Sequence, residues 1–347
     1  MTWRIRLSAA FVINHSETEN IKMKKALALI LAAIMVFSCI ALTSCNTADD
    51  GKYTVGICQL VQHPALDAAT QGFIDTLKAE FGDNIEIINE NASNSAELCT
   101  TIVNNFVNKK VDLIMANATP ALQAAANGTT TIPVLGTSIT EYGVALAIDN
   151  FDGLIGANVS GTSDLAPLDE QAKMIKDLFP DAKKVALLYC SSEPNSDYQV
   201  KEIKNQLVKL GFNADDIKNY SFTDSNDVRA VASGAAAYAD VIYIPTDNTA
   251  ASCSEIIDGV TGDVPVVTGE EGICAGCGVV TLSIDYYDLG VATAKMAIKI
   301  LKGEEKIENM KIEYAADFAK KYNAQKCDQL GMDAAALEAA GYVAIEE

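Results

Sequence analysis

The chain has 347 residues, 49% of them hydrophobic, with 26 Lys and Arg against 46 Asp and Glu for a formal net charge of −20. An acidic surface repels nucleic acid and anionic lipid headgroups, which excludes both as direct partners. The only tryptophan is Trp3 and the only histidines are His15 and His63, so a His-rich metal site is excluded as well.

Residues 1–22 carry no targeting pattern and read as an over-called start upstream of Met23. From there Met23-Lys24-Lys25, the apolar run Ala26–Ala41 and Leu42-Thr43-Ser44-Cys45 form a secretory signal: basic residues, an apolar core, then small residues at a cleavage point. The apolar run of 16 residues is short of the roughly 20 that a spanning helix needs. Its Leu-x-Ser-Cys ending resembles a bacterial lipoprotein signal, which implies that Cys45 carries the lipid and becomes the first residue. Residues 1–44 are then lost, and the rest holds 21 basic against 44 acidic side chains, a net charge of −23. Residues 45–52 are short and polar and read as a tether. The remaining length is comfortable for two cores.

Beyond the tether, strand-like runs alternate with helical ones. The pattern predicts strands at 53–59, 84–89, 111–116, 132–136 and 144–148, with helices at 66–81, 95–108 and 120–127 between them. Helix 95–108 places Leu98, Ile102, Val103, Phe106 and Val107 on one side. The pattern then repeats, with strands at 184–190, 216–222, 240–244, 264–267 and 279–282 and helices at 197–210, 226–236 and 248–258. Pro64 answers Pro194 at an offset of 130, Asp112 answers Asp240 at 128, and Pro133 answers Pro265 at 132. Near-constant offsets over four elements predict an α/β fold of two similar Rossmann-like lobes with parallel sheets and a ligand cleft between them. Gly153–Ser163 and Leu282–Tyr287 read as crossings between lobes. Helix 289–301 returns to the first lobe, and residues from 312 cross a third time to close the second. The expected lobes are 53–158 with 288–311 and 163–283 with 312–347.

In open α/β sheets ligands sit at the carboxyl ends of strands, against helix N-termini. That rule selects the turns Gln59–Ala65, Asn117–Pro120, Gly136–Thr140, Tyr189–Ser196, Thr246–Asn248 and Gly269–Gly272. Thr119 precedes Pro120 at a helix start, where free N–H groups attract a carboxylate, although Thr119 can equally cap its own helix. Asp247 stands at the matched position of the second lobe. An anion-friendly turn facing an acidic one suits a zwitterion such as an amino acid, while Asp247 as a plain helix cap is the alternative. Glu193, Asn195 and Ser196 begin the helix after strand 184–190, and His63 occupies the place of Glu193 in the first lobe. Ser163, Asp164, Asp285 and Tyr287 lie on the crossings, where hinge and ligand contact can coincide; Tyr286 is an equal candidate for an aromatic wall.

Seven cysteines follow Cys45, and their spacing matches no disulfide framework. Cys274-x-x-Cys277 has no second pair or nearby histidine, which favours packing residues or a local disulfide over a zinc or redox site. No Gly-x-Ser-x-Gly elbow, Walker loop or His-Glu-x-x-His helix occurs, so neither an enzyme nor a cofactor is indicated.

Six stretches in register resemble the substrate-binding lipoproteins of ABC transporters in the tryptophan/tyrosine-binding family. They are Gln62-His63-Pro64-Ala65-Leu66-Asp67, Ala118-Thr119-Pro120-Ala121, Asn158-Val159-Ser160-Gly161-Thr162-Ser163-Asp164, Glu193-Pro194-Asn195-Ser196, Ile244-Pro245-Thr246-Asp247-Asn248 and Asp285-Tyr286-Tyr287-Asp288-Leu289-Gly290. The resemblance covers about residues 53–310. It implies the type I periplasmic binding protein fold, with three crossings, and an aromatic amino acid delivered to membrane permease subunits driven by a cytoplasmic ATPase. It further implies that Thr119 and Thr137 hold the ligand carboxylate. Asp247, supported by Glu193 or Asp164, would hold the ammonium, and His63 and a tyrosine would border the side chain. The implied location is the outer face of the cell membrane, through the lipid on Cys45. A sensory receptor of the same fold, taking a nucleoside or sugar, is the alternative.

Overall fold

The computed structural model describes residues 51–315 and 317–345; the expected signal, Cys45 and nearly all of the tether lie outside the described residues. The first strands are β1 (Tyr53–Gln59), β2 (Ile85–Asn91), β3 (Leu113–Asn117), β4 (Val134–Ile139) and β5 (Val159–Ser163). Then come β6 (Val185–Cys190), β7 (Ile217–Phe222), β8 (Val241–Ile244), β9 (Val266–Thr268) and β10 (Val280–Ser283). Three short strands follow, β11 (Glu313–Tyr314), β12 (Ala319–Tyr322) and β13 (Val343–Ala344). They form two sheets, ordered β2-β1-β3-β4-β5-β11 and β7-β6-β8-β9-β10-β12-β13. All neighbouring pairs are parallel except β10 with β12.

Both sheets reverse direction of growth at their first strand, β1 in one and β6 in the other. The crevice outside the carboxyl ends at such a switch point is where a doubly wound sheet binds ligands. Each sheet is buried on both faces, which is why its central strands read as continuous apolar runs. In the first lobe, Ile57, Phe73 and Met115 pack on one face and Phe106, Ile114 and Leu122 on the other. The second lobe has Leu187, Ile203 and Tyr243 on one face and Leu188, Phe222 and Ile242 on the other.

Several expectations are corrected. Residues 144–148 are not a strand. Glu141 accepts hydrogen bonds from the N–H groups of Gly143 (3.1 Å) and Val144 (2.6 Å), and that cap winds Tyr142–Leu146 into a helix. The fifth strand is instead β5, which was expected to be a crossing. The first crossing is therefore Asp164–Pro167, before helix Leu168–Leu178. The tail also differs, because β11 pairs with β5 in the first sheet and the third crossing lies between Tyr314 and Ala319. The expected helix 248–258 divides at Cys253 into Asn248–Ser252 and Ser254–Thr261. Helix Ala96–Lys109 buries Cys99 with Ile102, Val103 and Phe106, while Leu98 stays 45% exposed.

The second crossing leads into helix Tyr286–Leu301, which lies against helix Pro64–Phe81. Glycines permit the approach. A Cβ built at Gly290 would stand 2.0 Å from the Ala69 carbonyl oxygen, and one at Gly72 would stand 2.2 Å from that of Tyr287. Gly290→Ala must push the two backbones apart, and we expect a loss of about 1–3 kcal/mol, measured by denaturant unfolding. Unchanged stability would show that the helices can slide without cost.

All seven cysteines of this region are buried free thiols, Cys274 and Cys277 among them. Among the described residues no helix is long and apolar enough to cross a membrane.

Candidate functional site

The carboxyl ends of the strands meet around a small cavity. The first lobe contributes His63 and Leu66 after β1 and Ser138 and Thr140 at the end of β4. The second contributes Asn195, Thr246, Asp247, Asn248, Ala251 and Glu270, and the crossings contribute Asp164 and Tyr286. No lysine or arginine is among them.

The cavity's defining property is its unpaired polar atoms. His63 Nδ1, Ser138 Oγ, Asp164 Oδ1 and Asn195 Oδ1 are buried and have no hydrogen-bond partner within the protein. Leaving such a group unpaired costs about 1–3 kcal/mol each, so four on one small cavity mark where a ligand supplies the partners. Three of the four are acceptors. Asn195 Nδ2 donates to the Thr246 carbonyl at 3.1 Å, which turns its oxygen inward. Asn248 Nδ2 donates to Glu193 Oε2 at 2.7 Å, so Asn248 Oδ1 faces His63 Nε2 at 3.4 Å. His63 therefore carries its proton on Nε2 and presents a bare Nδ1. Burial lowers the His63 pKa, which keeps the ring neutral.

Three carboxylates border the cavity in different states of satisfaction. Asp247 takes the N–H of Ala250 (2.7 Å) on one oxygen and that of Cys190 (2.6 Å) on the other. Its pKa is raised, by burial first and by nearby Glu193 second. Glu270 caps helix Glu271–Cys277 through the N–H groups of Gly272 (2.7 Å) and Ile273 (2.6 Å), and burial pushes it up to about 7. Asp164 is different: Tyr286 donates its hydroxyl to Oδ2 at 3.0 Å and the nearby Thr140 hydroxyl also favours the charged form, while Oδ1 has no well-formed hydrogen bond within the protein. Burial raises Asp164 to about 6. A fully enclosed carboxylate with one spare oxygen is the group best placed to receive a cation.

The expected site residues thus divide. His63, Asp164, Asn195, Asp247 and Asn248 come together on the cavity. Glu193, Ser196, Thr119, Thr137 and Ser163 are buried but do not line it. Glu193 spends its carboxylate on the helix that starts at Asn248. Thr137 is tied to Thr162 (3.3 Å) and Thr293 (3.1 Å), which joins two strands to helix Tyr286–Leu301. Ser163 donates to the Thr140 carbonyl at 2.9 Å and so holds the first crossing. Thr119 is the first helical residue and Ala118, with φ of 84°, takes the cap position. Asp285 and Tyr287 are exposed on an outer groove; Asp285 caps its helix and Tyr287 bonds Asp75. The tyrosine on the cavity is Tyr286.

The sequence reading did not single out Leu66, Ser138, Thr140, Thr246, Ala251 or Glu270. Four of these lie in turns it had marked as facing the cleft, but nothing local separates them from their neighbours. Ser138 has φ of 55°, an uncommon conformation for a serine, and it aims a free hydroxyl at the cavity.

Comparison with known proteins identifies the family. Residues 54–337 match the family model described as ABC transporter substrate binding protein. A tyrosine-binding protein of Clostridioides difficile (strain R20291) is 35% identical over 302 residues, 82% of this chain and 86% of that protein. An ABC domain in complex with L-Trp from Streptococcus pneumoniae is 30% identical and superposes with a TM-score of 0.78, covering 85% of this chain and 100% of that one. The ligand-free, open structure of a substrate-binding protein with adhesive properties from Clostridium difficile is 35% identical at the same coverage, yet its TM-score is 0.65. In this chain His63 against Asn248 and Asn94 against Thr249 join the lobes. The chain belongs to the ABC transporter substrate-binding protein family.

Proposed function

We propose that this chain is the extracytoplasmic receptor of an ABC importer, held to the membrane by lipid on Cys45, and that it captures an aromatic amino acid between its lobes for delivery to the permease. The observation that carries the reading is the convergence of unpaired acceptors on the cavity. Asp164 Oδ1, Asn195 Oδ1 and His63 Nδ1 are acceptors without protein partners on one cavity, which an ammonium would satisfy, with a negative charge supplied by Asp164. With no cationic side chain on the cavity, neutral donors must hold the ligand carboxylate, and Ser138 and Thr140 replace Thr119 and Thr137 in that role. Leu66, Ala251 and Tyr286 provide apolar surface for the rest of the ligand. The aromatic class is supported by the tyrosine-binding relative and by the relative solved with L-Trp.

The missing tryptophan makes the test direct. Lys52–Glu347 form a compact unit, and a form beginning at Asn46 contains no tryptophan. Titration with L-tryptophan, excited through the protein's tyrosines, is expected to show saturable energy transfer and a raised Tm. Stabilisation by a nucleoside or sugar, with no response to any aromatic amino acid, would discard the ligand and keep the receptor.

A further inference from the structure

Glu193 sits within the second lobe, off the cavity, and accepts from two adjacent residues at the start of helix Asn248–Ser252. Its Oε2 takes the Asn248 N–H (3.0 Å) and Nδ2 (2.7 Å), and its Oε1 takes the Thr249 N–H (2.9 Å) and Oγ1 (2.7 Å). The side chains of both residues reach the first lobe. Asn248 Oδ1 faces His63 Nε2 at 3.4 Å, and Thr249 Oγ1 accepts from Asn94 Nδ2 at 3.2 Å.

The polarity of both contacts follows from Glu193. With its Nδ2 turned to the carboxylate, Asn248 presents its oxygen, an acceptor, across the cleft. With its hydroxyl hydrogen likewise spent, Thr249 also offers only lone pairs. The first lobe answers with two donors. One of them, Asn94, is held in left-handed backbone (φ 62°) after Ser93 (φ 50°), its N–H on the Leu60 carbonyl at 2.8 Å. Two successive left-handed residues cost free energy that their surroundings must offset, and here they aim an amide across the cleft.

We propose that Glu193 is the positioning residue of an interlobe latch, orienting Asn248 and Thr249 to receive His63 and Asn94 as the lobes close, without touching the ligand. Only the choice of ligand in the test rests on the reading above. The variants Asn94→Gly, which keeps the left-handed backbone and removes the amide, Thr249→Val, their double mutant and Glu193→Gln all leave the cavity lining unchanged. In the form beginning at Asn46, L-tryptophan release is followed by stopped-flow energy transfer. The two single variants should each speed release by about three- to tenfold, and the double by no more than the larger single, because one bond is lost. Glu193→Gln keeps an oxygen for one of the two residues and sets an NH2 donor against the donors of the other; it should speed release by more than about tenfold, with association changed far less. Parental release rates in Glu193→Gln, or additive single effects, would overturn the latch. If neither L-tyrosine nor L-tryptophan binds the parental form, the ligand reading fails alone. The latch is then judged on the ligand-free protein, from spin-label distances between Thr100→Cys and Lys201→Cys. Glu193→Gln should lower the closed population at least about threefold, and an equal or undetectable closed population in the two proteins overturns it.

Discussion

Asp164→Asn is expected to weaken L-tyrosine or L-tryptophan binding by at least about a hundredfold, since removing one partner of a buried charge pair costs about 2–5 kcal/mol. Asparagine is nearly the same size and keeps an acceptor for the Tyr286 hydroxyl. The charge is lost, and so is the spare lone pair at Oδ1, where the amide now presents either a donor facing an ammonium or an oxygen of half the strength. Asp247 and Glu270 cannot compensate, because backbone N–H groups already occupy the oxygens that would have to turn. Tyr287→Phe is the companion control. Its hydroxyl meets Asp75 on the surface, so affinity should stay within about twofold, the range of exposed changes. Isothermal titration calorimetry decides it. Wild-type affinity in Asp164→Asn would mean that the ammonium lies elsewhere, and a loss in Tyr287→Phe would move the ligand toward the outer groove.

The stability of the ligand-free protein should fall as pH rises from about 4 to 7, and ligand should reverse the loss. Burial raises Asp164 from its ordinary 3.8 to about 6 and Glu270 from 4.5 to about 7. In that window the folded chain holds protons that the unfolded chain has released. The unfolded state binds fewer protons, so the free energy of unfolding decreases with pH. The contribution of Asp164 and Glu270 is complete below about pH 4 and lost above about pH 7, and Asp247, pushed up to about 8 by burial and by Glu193, carries the loss further; Asp164 alone accounts for roughly 3 kcal/mol at 1.36 kcal/mol per pH unit. A ligand ammonium takes the place of the proton on Asp164, so binding should release protons near pH 5 and raise Tm more at pH 8 than at pH 5. Thermal denaturation at the two pH values, with and without L-tyrosine, measures both effects. Asp164→Asn should remove its own share of the slope and leave that of Glu270; a wild-type profile already flat would mean that these carboxylates are ionised in the free cavity.

Much of the fold was legible because its information is periodic and local. The alternation of apolar runs and the prolines at offsets of 130 and 132 are readable without contacts. The misread elements have local causes as well. The run around Val144–Leu146 is apolar enough for a strand, but the Glu141 cap outweighs it. The run Val159–Ser163 looks like a polar linker, yet its Ser160, Thr162 and Ser163 hydroxyls find partners on other segments.

The sequence by itself determined that this protein has two lobes, a cleft and a set of turns facing it, because strand ends and helix starts follow from hydrophobic spacing and turn chemistry. Only the tertiary structure decided which side chains in those turns are free to meet a ligand. Glu193 and Asp164 look equally available on paper. One is saturated by a helix N-terminus 55 residues away, while the other pairs with a tyrosine 122 residues away and keeps an oxygen open. A lone pair is occupied or free according to what folding brings beside it, and no spacing along the chain records that.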